Sequence, residues 1–183
     1  MHPKCSVYIA ASIDGFIARE DGDIEWLHNP EYSVSKMKGL SYDDFISSVD
    51  ALVMGRNSFE KVLTFGDWPY NKTPVIVLTS RDLDVPNHLK GKVTVRGGSP
   101  KELVADLGKE GKKHLYIDGG NTIQRFLKAR VINEITITII PILLGKGISL
   151  FGNTGIELPL KLIDSIGSDN GFVQVRYKAE INE

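Results

Sequence analysis

Residues 115–127 form the segment that most constrains how this chain can fold. An apolar run that suits a buried strand ends at Asp118, the pair Gly119 and Gly120 follows, and apolar side chains then recur at helical spacing. A strand–glycine–helix turn leaves backbone N–H groups unpaired at the start of the helix, where the partial positive charge can hold a phosphate. The segment is therefore a candidate nucleotide site, although two glycines at this place can also be only a tight connection.

Length and composition indicate a single globular domain, residues 1–183, with enough chain to bury a proper core. Hydrophobic residues make up 42% and charged residues 25%, which is typical of soluble proteins rather than disordered or membrane ones. No apolar run approaches the length that crosses a bilayer, and the first residues lack the apolar stretch of a signal peptide. We predict a cytoplasmic protein with no membrane partner.

Charge and metal-binding residue types narrow the class of ligand. A net charge of -1 and scattered lysines offer no basic surface for nucleic acid, so a small-molecule partner is favoured. The only cysteine, Cys5, excludes an internal disulfide and a cysteine metal site, and the histidines have no metal-ligand spacing. We predict no bound metal.

The first predicted strand, residues 6–13, delivers Ser12 and Asp14 to its carboxyl end, where open α/β sheets bind their ligands. Asp14 precedes a glycine, however, and Asp-Gly is also common turn chemistry. The irregular segment 16–40 is long enough to indicate a functional loop. Within it, Trp26 could cover a bound ring or pin the loop to the core.

A second strand–glycine–helix unit begins with the apolar run 51–54, which ends at Gly55. Arg56 can bind an anion with its bidentate fork, and Asn57 or Ser58 can cap the helix that follows. Two such units in one small domain favour a dinucleotide ligand.

The predicted strand 74–78 also ends at anion-binding residues, namely Thr79, Ser80 and Arg81. Hydroxyls followed by a guanidinium suit a phosphate monoester, such as the ribose 2'-phosphate of NADPH, although the arginine could also be a solvated loop residue. Farther along, Ser99 heads a capping box that predicts a helix with another anion-friendly N-terminus.

The C-terminal part has the pattern of β structure. Residues 134–140 are strongly β-branched, and the runs 160–168 and 172–180 are joined by Asp-Asn-Gly, a hairpin signal. Together with the strands and helices that alternate before them, these runs predict an α/β fold. We expect a mostly parallel central sheet flanked by helices, with a C-terminal antiparallel hairpin.

Five motifs follow one another along nearly the whole chain in an order shared with a known family. They are residues 12–18 (Ser-Ile-Asp-Gly-Phe-Ile-Ala), 53–60 (Val-Met-Gly-Arg-Asn-Ser-Phe-Glu), 78–81 (Leu-Thr-Ser-Arg), 116–127 (Tyr-Ile-Asp-Gly-Gly-Asn-Thr-Ile-Gln-Arg-Phe-Leu) and 138–141 (Thr-Ile-Ile-Pro). In this order they resemble the dihydrofolate reductase fold. The resemblance is closest to the C-terminal reductase domain of the bifunctional deaminase-reductase of riboflavin biosynthesis and to its stand-alone relatives.

This resemblance implies a reductase that binds NADPH. Segment 14–26 would correspond to the mobile loop that covers the cofactor, and Ala10 and Ile17 would flank the nicotinamide. The full set of residues implied to bind NADPH is Ala10, Ile17, Gly55, Arg56, Asn57, Ser58, Thr79, Ser80, Arg81, Gly98, Ser99, Gly119, Gly120, Asn121 and Thr122.

On the substrate side the chain departs from the riboflavin-pathway pattern, because Tyr8 stands where that pattern has a lysine. Segment 26–31 resembles the tryptophan-to-acid segment of dihydrofolate reductase and places Glu31 near the pterin-binding acid, a role for which Asp43 and Asp44 compete. Asp14 and Glu31 are the catalytic candidates, and we expect burial to raise the pKa of the Asp14 carboxyl towards neutrality. The candidate substrate-binding residues are Ser12, Trp26 and Phe45.

The leading hypothesis is a riboflavin-type reductase, similar to 5-amino-6-(5-phosphoribosylamino)uracil reductase, that transfers a hydride from NADPH to a pyrimidine- or pterin-like molecule. The alternatives are dihydrofolate reductase or a reductase of another heterocycle, and a non-catalytic NADPH-binding sensor or partner module. The resemblance also implies a homodimer, which the isoleucine-rich strand from Glu134 could form by pairing two chains.

Overall fold

The computed structural model, which describes residues 2–30, 32, 37–70 and 72–181, has the predicted α/β architecture. Its helices are α1 Tyr42–Ser47, α2 Arg56–Leu63, α3 Pro100–Lys109 and α4 Gly120–Lys128, with 3-10 turns at Glu25–His28 and Asn87–Leu89. Its strands are β1 Lys4–Ser12, β2 Phe16–Ala18, β3 Ala51–Gly55, β4 Val75–Leu78, β5 Val93–Arg96, β6 His114–Asp118, β7 Glu134–Ile140, β8 Ile148–Ser149, β9 Leu160–Gly167 and β10 Val173–Ala179. The predicted strand boundaries lie within about two residues of these.

Within the described residues, eight strands form one sheet in the order β5-β4-β3-β6-β1-β7-β10-β9. Neighbours from β5 to β7 are parallel, whereas β10 runs antiparallel to both β7 and β9. The C-terminal hairpin is therefore confirmed, and the Gly171 N–H closes its turn by donating to the Ser168 carbonyl at 3.0 Å. Since the parallel strands share one direction, β1, β3, β4 and β6 deliver their carboxyl ends to the same edge.

Both faces of the parallel sheet are buried. Val53 and Ile117 pack with Phe126 of α4 on one face, and Met54 packs with Phe59 of α2 on the other. All five side chains are 0% exposed. Strands covered on both faces consist of unbroken apolar runs, and for that reason the sequence predicts them correctly.

The segment expected to be an irregular loop contains the short strand β2, which pairs with β8 in a second, two-stranded sheet. A Cβ at Gly147 would contact the carbonyl oxygen of Ala18, so this pairing requires glycine. The Leu150 N–H also donates to the Gly15 carbonyl at 2.9 Å. The chain after β1 is therefore tied to the chain after β7.

The expectation that the isoleucine-rich strand pairs two chains is wrong. Strand β7 lies inside the sheet, where β1 and β10 occupy both of its hydrogen-bonding edges. An additional chain could pair only with an outer strand, such as β9.

Candidate functional site

The carboxyl ends of the parallel strands open into a cleft of about 1020 Å³. Residues from strands β1, β3, β4 and β6 and from helices α2 and α4 line it, and β2 with the residues that follow it completes the lining. This volume reaches the upper end of the range for small-molecule sites and leaves room for an extended ligand.

The N-termini of α2 and α4 meet at this cleft through two reciprocal contacts. A Cβ at Gly55 would lie 2.8 Å from the Thr122 hydroxyl oxygen, and a Cβ at Gly119 would contact the Ser58 hydroxyl. Gly119 also has a φ of +87°, which L side chains rarely adopt. Each glycine therefore makes room for a hydroxyl of the opposite helix.

Both helix ends lack a side-chain cap. The N-cap residues are Gly55 for α2 and Gly119 for α4, and neither helix has an acid in its first turn. The expectation that Asn57 or Ser58 caps α2 is wrong. First-turn N–H groups remain available, and the positive ends of both helix dipoles face the cleft.

Helix α3 behaves differently, because Ser99 and Glu102 complete its capping box. The capping box pairs the N–H groups of Ser99 and Glu102, Pro100 has no N–H, and neither Gly98 nor Ser99 lines the cleft. Gly98 approaches it only through its carbonyl, which accepts a hydrogen bond from Arg125 at 3.3 Å.

Cationic side chains line the same part of the cleft. Arg56 donates from Nε to Glu60 at 2.6 Å and from Nη1 to the carbonyl of Asp82 at 3.3 Å, which leaves further guanidinium N–H groups for a ligand. Beside it, the Arg81 N–H donates to the Thr79 hydroxyl at 3.1 Å and orders the turn after β4. The other cations lining the cleft are Lys61, Arg125 and Lys128.

Besides these cations, the cleft contains a carboxyl group from Asp118, the last residue of β6. It lines the cleft and is partly exposed to it, and burial raises the pKa of its carboxyl, although hydrogen bonds from Gly119 and Tyr116 oppose the shift. The Tyr116 hydroxyl donates to the Tyr8 carbonyl at 2.9 Å and lies 3.4 Å from Asp118 Oδ1.

Three tyrosines surround this carboxyl along the cleft: Tyr42, Tyr70 and Tyr116. Burial first, and then the nearby Asp118, raise the pKa of all three phenols, that of Tyr42 to about 12. The Tyr42 and Tyr116 rings meet edge to face, 6.5 Å apart. We call Asp118 and these three tyrosines the acid-tyrosine pocket.

The structure gathers most of the predicted cofactor residues in the cleft. Those that line it are Ala10, Ile17, Gly55, Arg56, Asn57, Ser58, Thr79, Ser80, Arg81, Gly119, Gly120, Asn121 and Thr122. The catalytic candidate Glu31 lies outside the described residues.

Asp14 is not the buried acid that was expected. Its side chain is exposed, and its carboxylate accepts hydrogen bonds from the Ser12 hydroxyl at 2.6 Å and from the Leu144 and Gly145 N–H groups at 3.1 and 2.7 Å. The Ser12 bond above all, together with the two backbone bonds, lowers the pKa of Asp14. Asp14 therefore links the loop after β1 to the loop after β7, and it does not line the cleft.

The three predicted substrate residues are also absent from the cleft lining. Ser12 is buried and accepts the Phe16 N–H at 3.0 Å. Trp26 is buried with Ile140, so it pins the loop to the core, and Phe45 stacks on Tyr8 at 4.8 Å. None of the three lines the cleft.

Sequence reasoning missed the acid-tyrosine pocket. Asp118 had a local signal, since it immediately precedes the glycine pair. The cleft-lining side of α4 also had a signal in the sequence, because its polar residues recur at helical spacing. These residues are Asn121, Gln124, Arg125 and Lys128. Tyr42 and Tyr70 had none, because only the tertiary fold brings them to Asp118.

Comparison with known proteins places the chain in a family. The model of the RibD C-terminal domain matches residues 3–174. The chain belongs to the RibD C-terminal domain family. It is thus a reductase-like domain, and none of its helices, as far as the chain is described, is long and apolar enough to span a bilayer.

Solved structures agree with this membership in the RibD C-terminal domain family. A Shewanella sp. PV-4 protein named for riboflavin biosynthesis matches with a TM-score of 0.89 and 39% identity over 98% of this chain and 99% of its own. A second match is the Thermotoga maritima diaminohydroxyphosphoribosylaminopyrimidine deaminase/5-amino-6-(5-phosphoribosylamino)uracil reductase. Its TM-score is 0.71 and its sequence identity 15%, over 97% of this chain and 57% of its own. Enterococcus faecalis dihydrofolate reductase, complexed with NADP(H), matches with a TM-score of 0.61 and 18% identity, over 98% of this chain and 99% of its own. The predicted dihydrofolate reductase-like fold is confirmed.

Proposed function

We propose that this protein is an NADPH-dependent reductase that transfers a hydride to a pyrimidine- or pterin-like small molecule. One observation carries the proposal: the same cleft contains two uncapped helix N-termini, α2 and α4, and the acid-tyrosine pocket. The first suits the phosphates of a dinucleotide, and the second suits a planar ring.

The residues present fit NADPH. The first turns of α2 and α4 would hold the pyrophosphate, with Ser58 and Thr122 as hydroxyl donors beside the two glycines. Thr79, Ser80 and Arg81 would bind the ribose 2'-phosphate. When bound, NADPH supplies the hydride, and β2 with the residues after it would exclude water from the reacting rings. The fold shared with a dihydrofolate reductase complexed with NADP(H) supports this assignment.

The first candidate substrate is 5-amino-6-(5-phosphoribosylamino)uracil, because the chain belongs to the RibD C-terminal domain family. Tyr8 favours a reductase of another heterocycle, dihydrofolate included. Its hydroxyl donates to the Leu40 carbonyl at 2.8 Å, so it cannot act as the lysine it replaces.

Steady-state oxidation of NADPH tests the proposal. We expect turnover with the ribosylaminopyrimidine or with dihydrofolate. If NADPH binds but no pterin or pyrimidine is reduced, a non-catalytic NADPH-binding module is the better description. If NADPH does not bind, both functions are wrong.

We also propose that two copies associate through β9. This strand is at one end of the sheet and exposes Leu160, Leu162 and Ile163, an arrangement prone to edge pairing. Sedimentation should show a dimer that Leu162→Lys dissociates, whereas Leu143→Lys, at an exposed loop position, should not. A monomeric wild type at working concentrations would remove this proposal.

A further inference from the structure

The small sheet of β2 and β8, which we call the β2–β8 ribbon, is formed by the two loops that follow β1 and β7. Further contacts link these loops. Asp14 accepts the N–H groups of Leu144 and Gly145, and Glu20 pairs with Lys146 at 2.9 Å. All of these contacts join one loop to the other, and a separate set of contacts joins the ribbon to helix α4.

The first turn of α4 touches the ribbon at Gly120. A Cβ at this position would lie 3.1 Å from Ile148 Cγ2, 3.2 Å from Ile17 Cδ1 and 3.2 Å from the carbonyl oxygen of Ser149. The missing side chain thus lets the ribbon approach the helix backbone closely. Ile17 and Ile148 both line the cleft, so this contact places them beside the helix end that would hold the pyrophosphate.

One turn later, the side chain of Gln124 binds the same segment. Its Nε2 donates to the carbonyl of Ser149 at 2.9 Å and to that of Leu150 at 3.4 Å. Residues four apart lie on one side of a helix, so Gln124 and Gly120 hold the ribbon from two successive turns. A glutamine amide has two N–H donors, which allows one side chain to bind both carbonyls.

The chain that follows β8 curves around this amide. A Cβ at Gly152 would lie 2.7 Å from Oε1 and 2.8 Å from Nε2 of Gln124. Gly152 has a φ of +53°, and its N–H donates to the Ser149 hydroxyl oxygen at 2.9 Å. Residues 149–152 therefore form a close-fitting seat for the amide group and fix where it donates.

We propose that Gln124 is a positioning residue for the cofactor. By binding Ser149 and Leu150, it fixes the β2–β8 ribbon and with it Ile17, which would flank the nicotinamide. This inference rests on the proposed reductase function. Gln124 takes no part in proton or hydride transfer. It acts through the ribbon, because a nicotinamide against a fixed wall stays at reacting distance.

The first test needs no cofactor. Gln124→Met keeps a side chain of similar length but removes the donor. We expect the Leu150 amide, which donates to the Gly15 carbonyl at 2.9 Å, to exchange its hydrogen faster in this variant. The increase should be about 5-fold or more, since the bonds that hold the ribbon are lost, whereas the amides of α3 should keep their rates. Unchanged exchange at Leu150 would overturn the proposal.

The second test compares NADP+ with adenosine 2',5'-bisphosphate, which lacks the nicotinamide half, by titration calorimetry. We expect Gln124→Met to weaken NADP+ binding by about 10-fold, because the wall beside the nicotinamide is loosened. Affinity for the bisphosphate should stay within about twofold of the wild type, since the helix N-termini are unchanged.

Two other outcomes of this titration are distinguishable. Equal effects of Gln124→Met on both ligands, including no effect on either, would reduce Gln124 to an ordinary packing contact and overturn the proposal alone. A wild type that binds neither ligand would refute the proposed function and this inference with it.

A matched pair of glycine variants tests the same contact from the other side. Gly152→Ala and Gly155→Ala both place a side chain at a positive φ, +53° and +65°, but a Cβ at Gly155 has nothing within 4 Å. We expect only Gly152→Ala to displace the Gln124 amide and to reproduce the selective loss of NADP+ affinity. Because both changes break one contact, the Gln124→Met/Gly152→Ala double variant should lose little more than either single variant. Fully additive losses, or equal losses for the two alanine variants, would contradict the proposal.

Discussion

The backbone of Gly119 lies directly against the Ser58 hydroxyl, so closely that a Cβ on Gly119 would overlap it. This contact joins the turn after β6 to the first turn of α2. It brings the two uncapped helix ends of the cleft together.

Replacing Gly119 with alanine should therefore disturb both packing and cofactor binding. Gly111→Ala is a matched control, because Gly111 has the same φ of +87° but nothing within 4 Å of a Cβ. We expect Gly119→Ala to lose about 1–3 kcal/mol more free energy of unfolding than Gly111→Ala, the usual cost of overpacking. Urea denaturation measures this difference, and equal losses would show that the Ser58 contact carries no strain.

Arg81→Ala should weaken the binding of NADPH more than that of NADH. A hydrogen bond to a charged group is worth about 1.5–3 kcal/mol, so the preference for NADPH should fall by about 10-fold to 150-fold. Arg96→Ala is the control, since Arg96 pairs with Glu110 at 2.8 Å and does not line the cleft. An equal loss for both dinucleotides would contradict the 2'-phosphate assignment.

Asp14→Asn should lower stability without abolishing proton transfer. The folded-state pKa of Asp14 lies below its ordinary value of 3.8, so the unfolded chain binds more protons. The stabilisation is complete above 3.8 and is lost as the pH falls through the folded-state pKa. Thermal melts should thus show a Tm deficit at pH 7 that shrinks in acid. A constant deficit at every pH would contradict the carboxylate's role.

Asp118→Asn should have the opposite effect on stability. Because burial raises the pKa of Asp118 above 3.8, the folded state binds more protons than the unfolded chain between the two values. The free energy of unfolding of the wild type therefore falls as the pH rises through this window. The asparagine variant has no carboxyl to titrate and does not show this fall. The variant's Tm advantage should grow with pH. Asp50→Asn, which removes an acid with a lowered pKa, should show the reverse trend.

The local parts of the fold and the site could be predicted from the sequence. The capping box at Ser99 and the hairpin turn before Phe172 depend on residues a few positions apart, and both occur as expected. Asp14 could not be interpreted in this way, because its partners Leu144 and Gly145 are about 130 positions away. An acid before glycine follows an apolar run in both places. At Asp14 this pattern gives an exposed carboxylate that joins two loops, whereas at Asp118 it gives a half-buried carboxyl in the cleft.

By itself, the sequence determined the order of strands and helices and the two glycine turns at Gly55 and Gly119, since backbone conformation and apolar periodicity are local properties. Only the tertiary structure decided which acid is buried. Strand β6 lies between β3 and β1, so Asp118 lies in the middle of the sheet edge. Tyr42, at the start of α1, and Tyr70 line the cleft there although both are distant from Asp118 in sequence. Burial is the largest influence on the pKa of this carboxyl, and that burial exists only once the chain has folded.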